Sequence, residues 1–178
     1  DRFGHPRACA GWENNGDAWR AGARASGGGC GAAGSHAYNV QHGAWHAGSE
    51  RTNRASVGVE ITNAYYPKYQ SWYIKNGFGE RPVIEDAWVH GNKLEPFMGF
   101  YPEQIQALKA LWRSIHVATG IPYETPVSQF GKTSTKYVQD VPYGNFSGFV
   151  SHYHISKKKI DCAGLDINSL LQEIKEEE

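Results

Sequence analysis

The stretch SHYHISKKKIDCAGLD, residues 151–166, sets His152 and His154, the run Lys157–Lys159, Asp161 and Cys162 ahead of Gly164 and a helix-capping Asp166. Imidazole nitrogen and thiolate sulfur are zinc donors, and a catalytic zinc keeps one position open for water. A strand histidine and a loop cysteine would converge on one ion if the chain turned back on itself before the last helix. The same residues also describe a surface strand with a solvated lysine run and a structural Cys162, and the residues alone leave both open. Glu60, in SVGVEIT (56–62), is the second candidate. A carboxylate on the open face of a strand serves as a general base where that face lines a cleft, and is otherwise simply solvated. The third is AWHAG, residues 44–48, where His46 stands between Trp45 and a small Ala-Gly pair, with Ser49, Thr52 and Asn53 following. It reads equally as a turn around a packed tryptophan.

Positioning these groups falls to a few elements. In 56–62, Val57, Val59 and Ile61 alternate with Gly58, Glu60 and Thr62, which predicts a strand with one apolar face and one carrying Glu60. Pro102 to about Thr119 predicts a helix: Pro suits the first turn, Glu103 complements the N-terminus, and Ile105, Leu108, Leu111, Trp112 and Ile115 form a stripe. Gly120 and Pro122 end it. A last helix starts at the N-cap Asp166 and buries Ile167, Leu170, Leu171 and Ile174. A further strand is expected at 146–155, with His152 and His154 sharing a face with Val150. Between strand and long helix, residues 64–101 are rich in aromatics, Gly and Pro, too long for a plain connection and suited to shaping a binding surface.

The chain has 178 residues, enough for one domain. Its charge balances at zero, with Lys+Arg and Asp+Glu both 18, which argues against a nucleic-acid partner. No apolar run is long enough to span a bilayer, and the first residues lack the pattern of a secretory signal. Three cysteines are too few for a disulfide scaffold. Residues 1–39 contain no Leu, Ile or Val, and the stretch AGARASGGGCGAAG at 21–34 predicts an irregular segment over 1–34 ahead of a domain over 35–178.

AWHAG, then NRASVGVEI, then an amphipathic helix, then HYHISKKKIDCAGLD resemble, in that order, the type 2 N-acetylmuramoyl-L-alanine amidases, a family that shares its fold with the peptidoglycan recognition proteins and includes phage and bacterial wall-lytic enzymes. The resemblance implies an α/β domain with a central mixed β-sheet flanked by helices. It implies a zinc ion held by two histidines and a third ligand. His152 matches the second histidine; Cys162, before the Ala-Gly turn, is preferred as third ligand over Asp161, which with Lys159 makes the family's Lys-x-Asp order. It further implies Glu60 as general base, Lys159 as oxyanion stabiliser, and Trp45, His46 and Asn53 as substrate-cleft residues. The substrate would be peptidoglycan, cut at the amide between N-acetylmuramic acid and L-alanine by a monomer. A phage-borne endolysin of this kind would pass from host cytoplasm to wall. The chain departs from the family at the first zinc histidine. His5 precedes Pro6 without an apolar strand, His36 in SHAYNV resembles the following strand, and His42 lies in the turn before AWHAG. Two alternatives follow: a muropeptide-binding module with an incomplete metal site, and a different zinc hydrolase using His152 and His154 as a ligand pair with Cys162 structural.

Overall fold

The computed structural model describes residues 45–177. The segment 1–34, and His5, His36 and His42 with it, lies outside the described residues. The first element, α1 (Glu50–Arg54), is capped by the Ser49 hydroxyl, which accepts from the Thr52 amide. A 3-10 turn at Pro67–Tyr69 leads into α2 (Gln70–Lys75). Four two-residue strands follow: β1 (Val83–Ile84), β2 (Trp88–Val89), β3 (Asn92–Lys93) and β4 (Phe97–Met98). β1 pairs antiparallel with β4, and the β2–β3 hairpin is nested between them. The hairpin turns on His90 and Gly91, both at positive φ (53° and 81°), as a two-residue loop between right-twisted strands requires. The remaining helices are α3 (Pro102–Thr119), α4 (His152–Ile155) and α5 (Ile167–Glu176).

The two long helices form where local rules place them. α3 runs between the expected bounds, with Pro102 at its first position and Gly120 closing it at φ 72°. Gln104 organises its start: Oε1 accepts from the Tyr101 amide at 3.0 Å and Nε2 donates to the Thr62 carbonyl at 2.7 Å. The helix is thereby tied to the end of segment 56–62. Leu108 and Trp112 are buried with Ile61, Tyr123 and Phe149, and α5 contributes Ile167, Leu170, Leu171 and Ile174 to the same core, as its pattern predicts. Lys109 was not expected inside. Its stem is buried, and its ammonium reaches Glu173 and Glu177 at 3.1 and 2.5 Å, bracing α3 against α5.

The sheet expectation needs correction. Among the described residues there are two two-stranded antiparallel sheets, not a central mixed sheet. Segment 56–62 has no ladder partner among the described residues, so its alternation does not become a strand there. Half the pattern survives: Ile61 is buried and Val59 packs against the core, while Val57 is 42% exposed. The expected strand at 146–155 is also overturned, because its last residues form α4. A single turn is too short to be stable on its own, and alternation along the sequence cannot reveal it. Long-range bonds hold it: the Asp161 carbonyl accepts from the Ser151 hydroxyl at 2.6 Å and the Tyr153 amide at 3.2 Å. Tyr153 is fully buried with Val89, Phe97 and Ala163 in a second cluster. No helix of the described residues is long and apolar enough to cross a membrane.

The N-cap of α5 also serves as a latch. Asp166 accepts from the Ser169 amide and from both the amide and hydroxyl of Thr133, at 3.2 and 2.7 Å. Partial burial pushes its pKa up, but these hydrogen bonds outweigh it and hold the carboxyl below its ordinary value. The contribution is therefore complete above the unfolded carboxylate pKa and is lost as pH falls through the lower folded value. Asp166→Ala is expected to cost about 1 kcal/mol, the usual worth of a cap. Urea unfolding near neutral pH and in acid checks this: the wild type and variant should differ at neutral pH and converge in acid.

Candidate active site

The site is built around the first residue of α4. Ser151 is extended and its hydroxyl, besides donating to the Asp161 carbonyl, accepts from the Cys162 amide. One side chain thus stitches the start of α4 to the Asp161–Cys162 peptide. Because 152–155 is helical, His152 and His154 point apart, where a strand would have put them on one face. His154 is fully buried; its Nδ1 accepts from the Ser151 amide at 3.1 Å and its Nε2 donates to the Ser134 carbonyl at 2.5 Å. That excludes it as a partner ligand to His152, so the His152/His154 pair expected of a different zinc hydrolase is overturned.

His152 is half-buried and faces two oxygens. Its Nδ1 lies 2.5 Å from Asp161 Oδ2, and its Nε2 lies 2.7 Å from the main-chain carbonyl of His46. The carbonyl can only accept, so Nε2 carries a hydrogen. Asn53 holds that carbonyl in place: its buried Oδ1 accepts from the His46 and Ala47 amides at 3.1 and 2.6 Å. Asn53 therefore acts from beneath the loop rather than from a cleft wall. The His46 imidazole turns elsewhere, its Nε2 donating to Ser56 Oγ at 2.8 Å, while Ser56 donates to the Thr52 carbonyl at 2.7 Å. Trp45 is 55% exposed beside it.

Segment 56–62 crosses this loop at Gly58. A Cβ there would lie 2.7 Å from His46 Cγ, so only glycine permits the approach. Val59 and Ile61 turn to the core, and Glu60 between them is exposed. Lys159 is half-buried on the loop between α4 and Asp161, and its charge is felt at both His152 and Asp161. Its carbonyl accepts from His90 Nε2 at 3.0 Å. Cys162 is partly exposed and lines a small cavity with Asp161, Asn63 and Met98. In it, Asn63 donates to the Met98 carbonyl while its buried Oδ1 has no partner among the described residues.

Two histidines two positions apart have their pKa values moved in opposite directions. Burial works against a charged His152, but Asp161 and the His46 carbonyl outweigh it and raise its pKa. Burial likewise opposes an ionised Asp161, and the bond from His152 wins, lowering its pKa. Each partner favours the charged form of the other. His154 has no such partner, and desolvation pulls it down to about 4.

Imidazole, carboxylate and thiol are zinc donors by chemistry. Here both His152 nitrogens are engaged by protein oxygens, and the described residues gather no group of three His, Cys, Asp or Glu side chains around one point. The donor set present fits part of a zinc site, with His152 and Asp161 as its adjacent members. Ser151 and His90, which position these groups, carried no local chemical signal, although His-Gly between Trp-Val and Asn-Lys is a hairpin cue.

Imidazole nitrogen NMR of the metal-free chain at pH 6 should show His152 protonated on both nitrogens and His154 neutral with hydrogen on Nε2. Stability should decline as pH falls from about 6.5 towards 4, where the unfolded chain binds a proton that folded His154 refuses. A protonated His154 at pH 6 would contradict the assignment.

No curated protein and no solved structure matches the chain. The family model described as N-acetylmuramoyl-L-alanine amidase matches residues 12–162, reaching from within segment 1–34 to Cys162. With a match over most of its length that ends on the loop carrying Lys159, Asp161 and Cys162, the chain belongs to the N-acetylmuramoyl-L-alanine amidase family.

Proposed function

We propose that the protein is a zinc-dependent amidase that hydrolyses the bond between the lactyl group of N-acetylmuramic acid and L-alanine of the peptidoglycan stem peptide. The observation that supports it most is the His152–Asp161 pair beside Lys159 in a chain of this family. An endolysin role, with passage from a host cytoplasm to the wall, goes with this reading.

In the proposed reaction His152 and Asp161 would hold the ion together with a further donor. When bound, zinc supplies Lewis acidity toward the scissile carbonyl and the attacking water. Glu60 takes the proton of that water and passes it to the leaving amine. The Lys159 ammonium stabilises the negative charge that develops on the carbonyl oxygen. Asn53 and the His46 carbonyl orient His152, much as outer partners orient metal-binding imidazoles elsewhere. Trp45 and the His46 ring would border the substrate.

A muropeptide-binding module is the second reading, and the double engagement of His152 favours it. Metal analysis and product release separate the two. The amidase reading expects about one zinc per chain and release of stem peptide from purified peptidoglycan, lost on chelation and restored by zinc. Binding of muropeptide with no release at any zinc concentration would establish the module instead.

Two substitutions test the roles. Glu60→Gln should keep zinc and fold while slowing release on the order of 10²- to 10⁴-fold, the usual worth of a general base; unchanged release removes Glu60 from the reaction. Asp161→Asn should lose zinc in equilibrium dialysis, and Cys162→Ser should keep it. The reverse pattern returns the ligand to Cys162.

A further inference from the structure

We propose that His90 is a positioning residue for Lys159, reaching from the tip of the β2–β3 hairpin to fix the main chain of the loop that carries the lysine. This rests on the reading in which Lys159 stabilises the reaction's developing charge.

Three observations carry it. His90 is the one residue other than glycine at positive φ among the described residues, and there glycine or asparagine would relax the turn. A bulky side chain in that conformation is retained only where its contacts outweigh the strain. Its contacts are specific: Nε2 donates to the Lys159 carbonyl at 3.0 Å, across 69 positions of sequence, and its amide donates to the Thr135 carbonyl at 2.9 Å.

The loop it grips is short and held at both ends. The Ser156 amide donates to the His152 carbonyl at its start, and the Asp161 carbonyl is taken by Ser151 and Tyr153 at its finish. Between them Lys159 has its own amide on the Ser156 carbonyl and its carbonyl on His90. The hairpin is a firm support, because buried Val89 packs with Tyr153, Phe97 and Ala163, and Ile160 packs on the same cluster. The aromatic-rich insertion is thereby joined to the reaction loop through one imidazole, and a small shift of Lys159 would translate directly into lost rate.

The test uses the zinc-loaded full chain and release of stem peptide from purified peptidoglycan. His90→Gly relaxes the turn but deletes the donor; His90→Gln keeps a donor near the place of Nε2. Positioning predicts that His90→Gly lowers kcat roughly ten- to a hundredfold with KM and Tm held, and that His90→Gln recovers most of it. In a Lys159→Met background His90→Gly should cost nothing further. Unchanged kcat in His90→Gly, or the same fractional loss without the lysine, overturns the proposal. If the wild type releases no peptide, the amidase reading fails instead. Amide hydrogen exchange over 156–160 then decides the tether: His90→Gly must quicken it and His90→Gln must not, and equal rates overturn it.

Discussion

The carbonyl of Asp161 is the point on which the candidate site is assembled. Ser151 and Tyr153 both donate to it, from the N-cap and the second residue of a helix only one turn long. Those bonds convert what the sequence writes as alternation into helix, and the conversion separates two histidines that a strand would have aligned. One becomes buried framework and the other turns to meet a carboxylate. Low local dielectric makes such an arrangement all or nothing: each buried polar group is either satisfied or costly. The serine hydroxyl, by also receiving the Cys162 amide, satisfies the N–H of the same peptide.

Two shells converge on His152 from distant parts of the chain. Asp161 comes from the loop after α4, and the His46 carbonyl comes from a loop pinned by Asn53 of α1. The contribution of the AWHAG motif to this contact is thus a main-chain oxygen, with its imidazole committed to Ser56. The His152–Asp161 pair is largely buried, so its value lies in the orientation it imposes more than in net stability.

The parts of the fold that could be read from sequence are those whose causes are local. α3 and α5 declare themselves by a 3.6-residue stripe, a proline or aspartate at the start and, for α3, a glycine at the end. Segment 56–62 is half legible: burial of Ile61 follows the pattern, but a ladder requires a partner that no local signal names. α4 was illegible, since its stability comes from Asp161, ten positions beyond its cap, and from the hairpin packed on Tyr153. In the site, the Lys-x-Asp order and His152 were visible as residue types. Cys162 is preferred over Asp161 as third zinc ligand on softness and turn position; that Asp161 is the residue bonded to His152 follows from side-chain direction, which has no signature in spacing. Carbonyl acceptors and hydroxyl staples such as those of His46 and Ser151 are invisible for the same reason: their chemistry is common to every residue or to every serine.

Gly58 sets how closely segment 56–62 approaches the loop that supports His152. The segment bearing Glu60 rests on the His46 ring through a hydrogen atom where any other residue would interpose a carbon. The height of the carboxylate-bearing segment above the loop that supports His152 is therefore fixed by a missing side chain. Even a methyl group at that position would act as a shim, lifting the segment off the loop without altering any polar side chain of either.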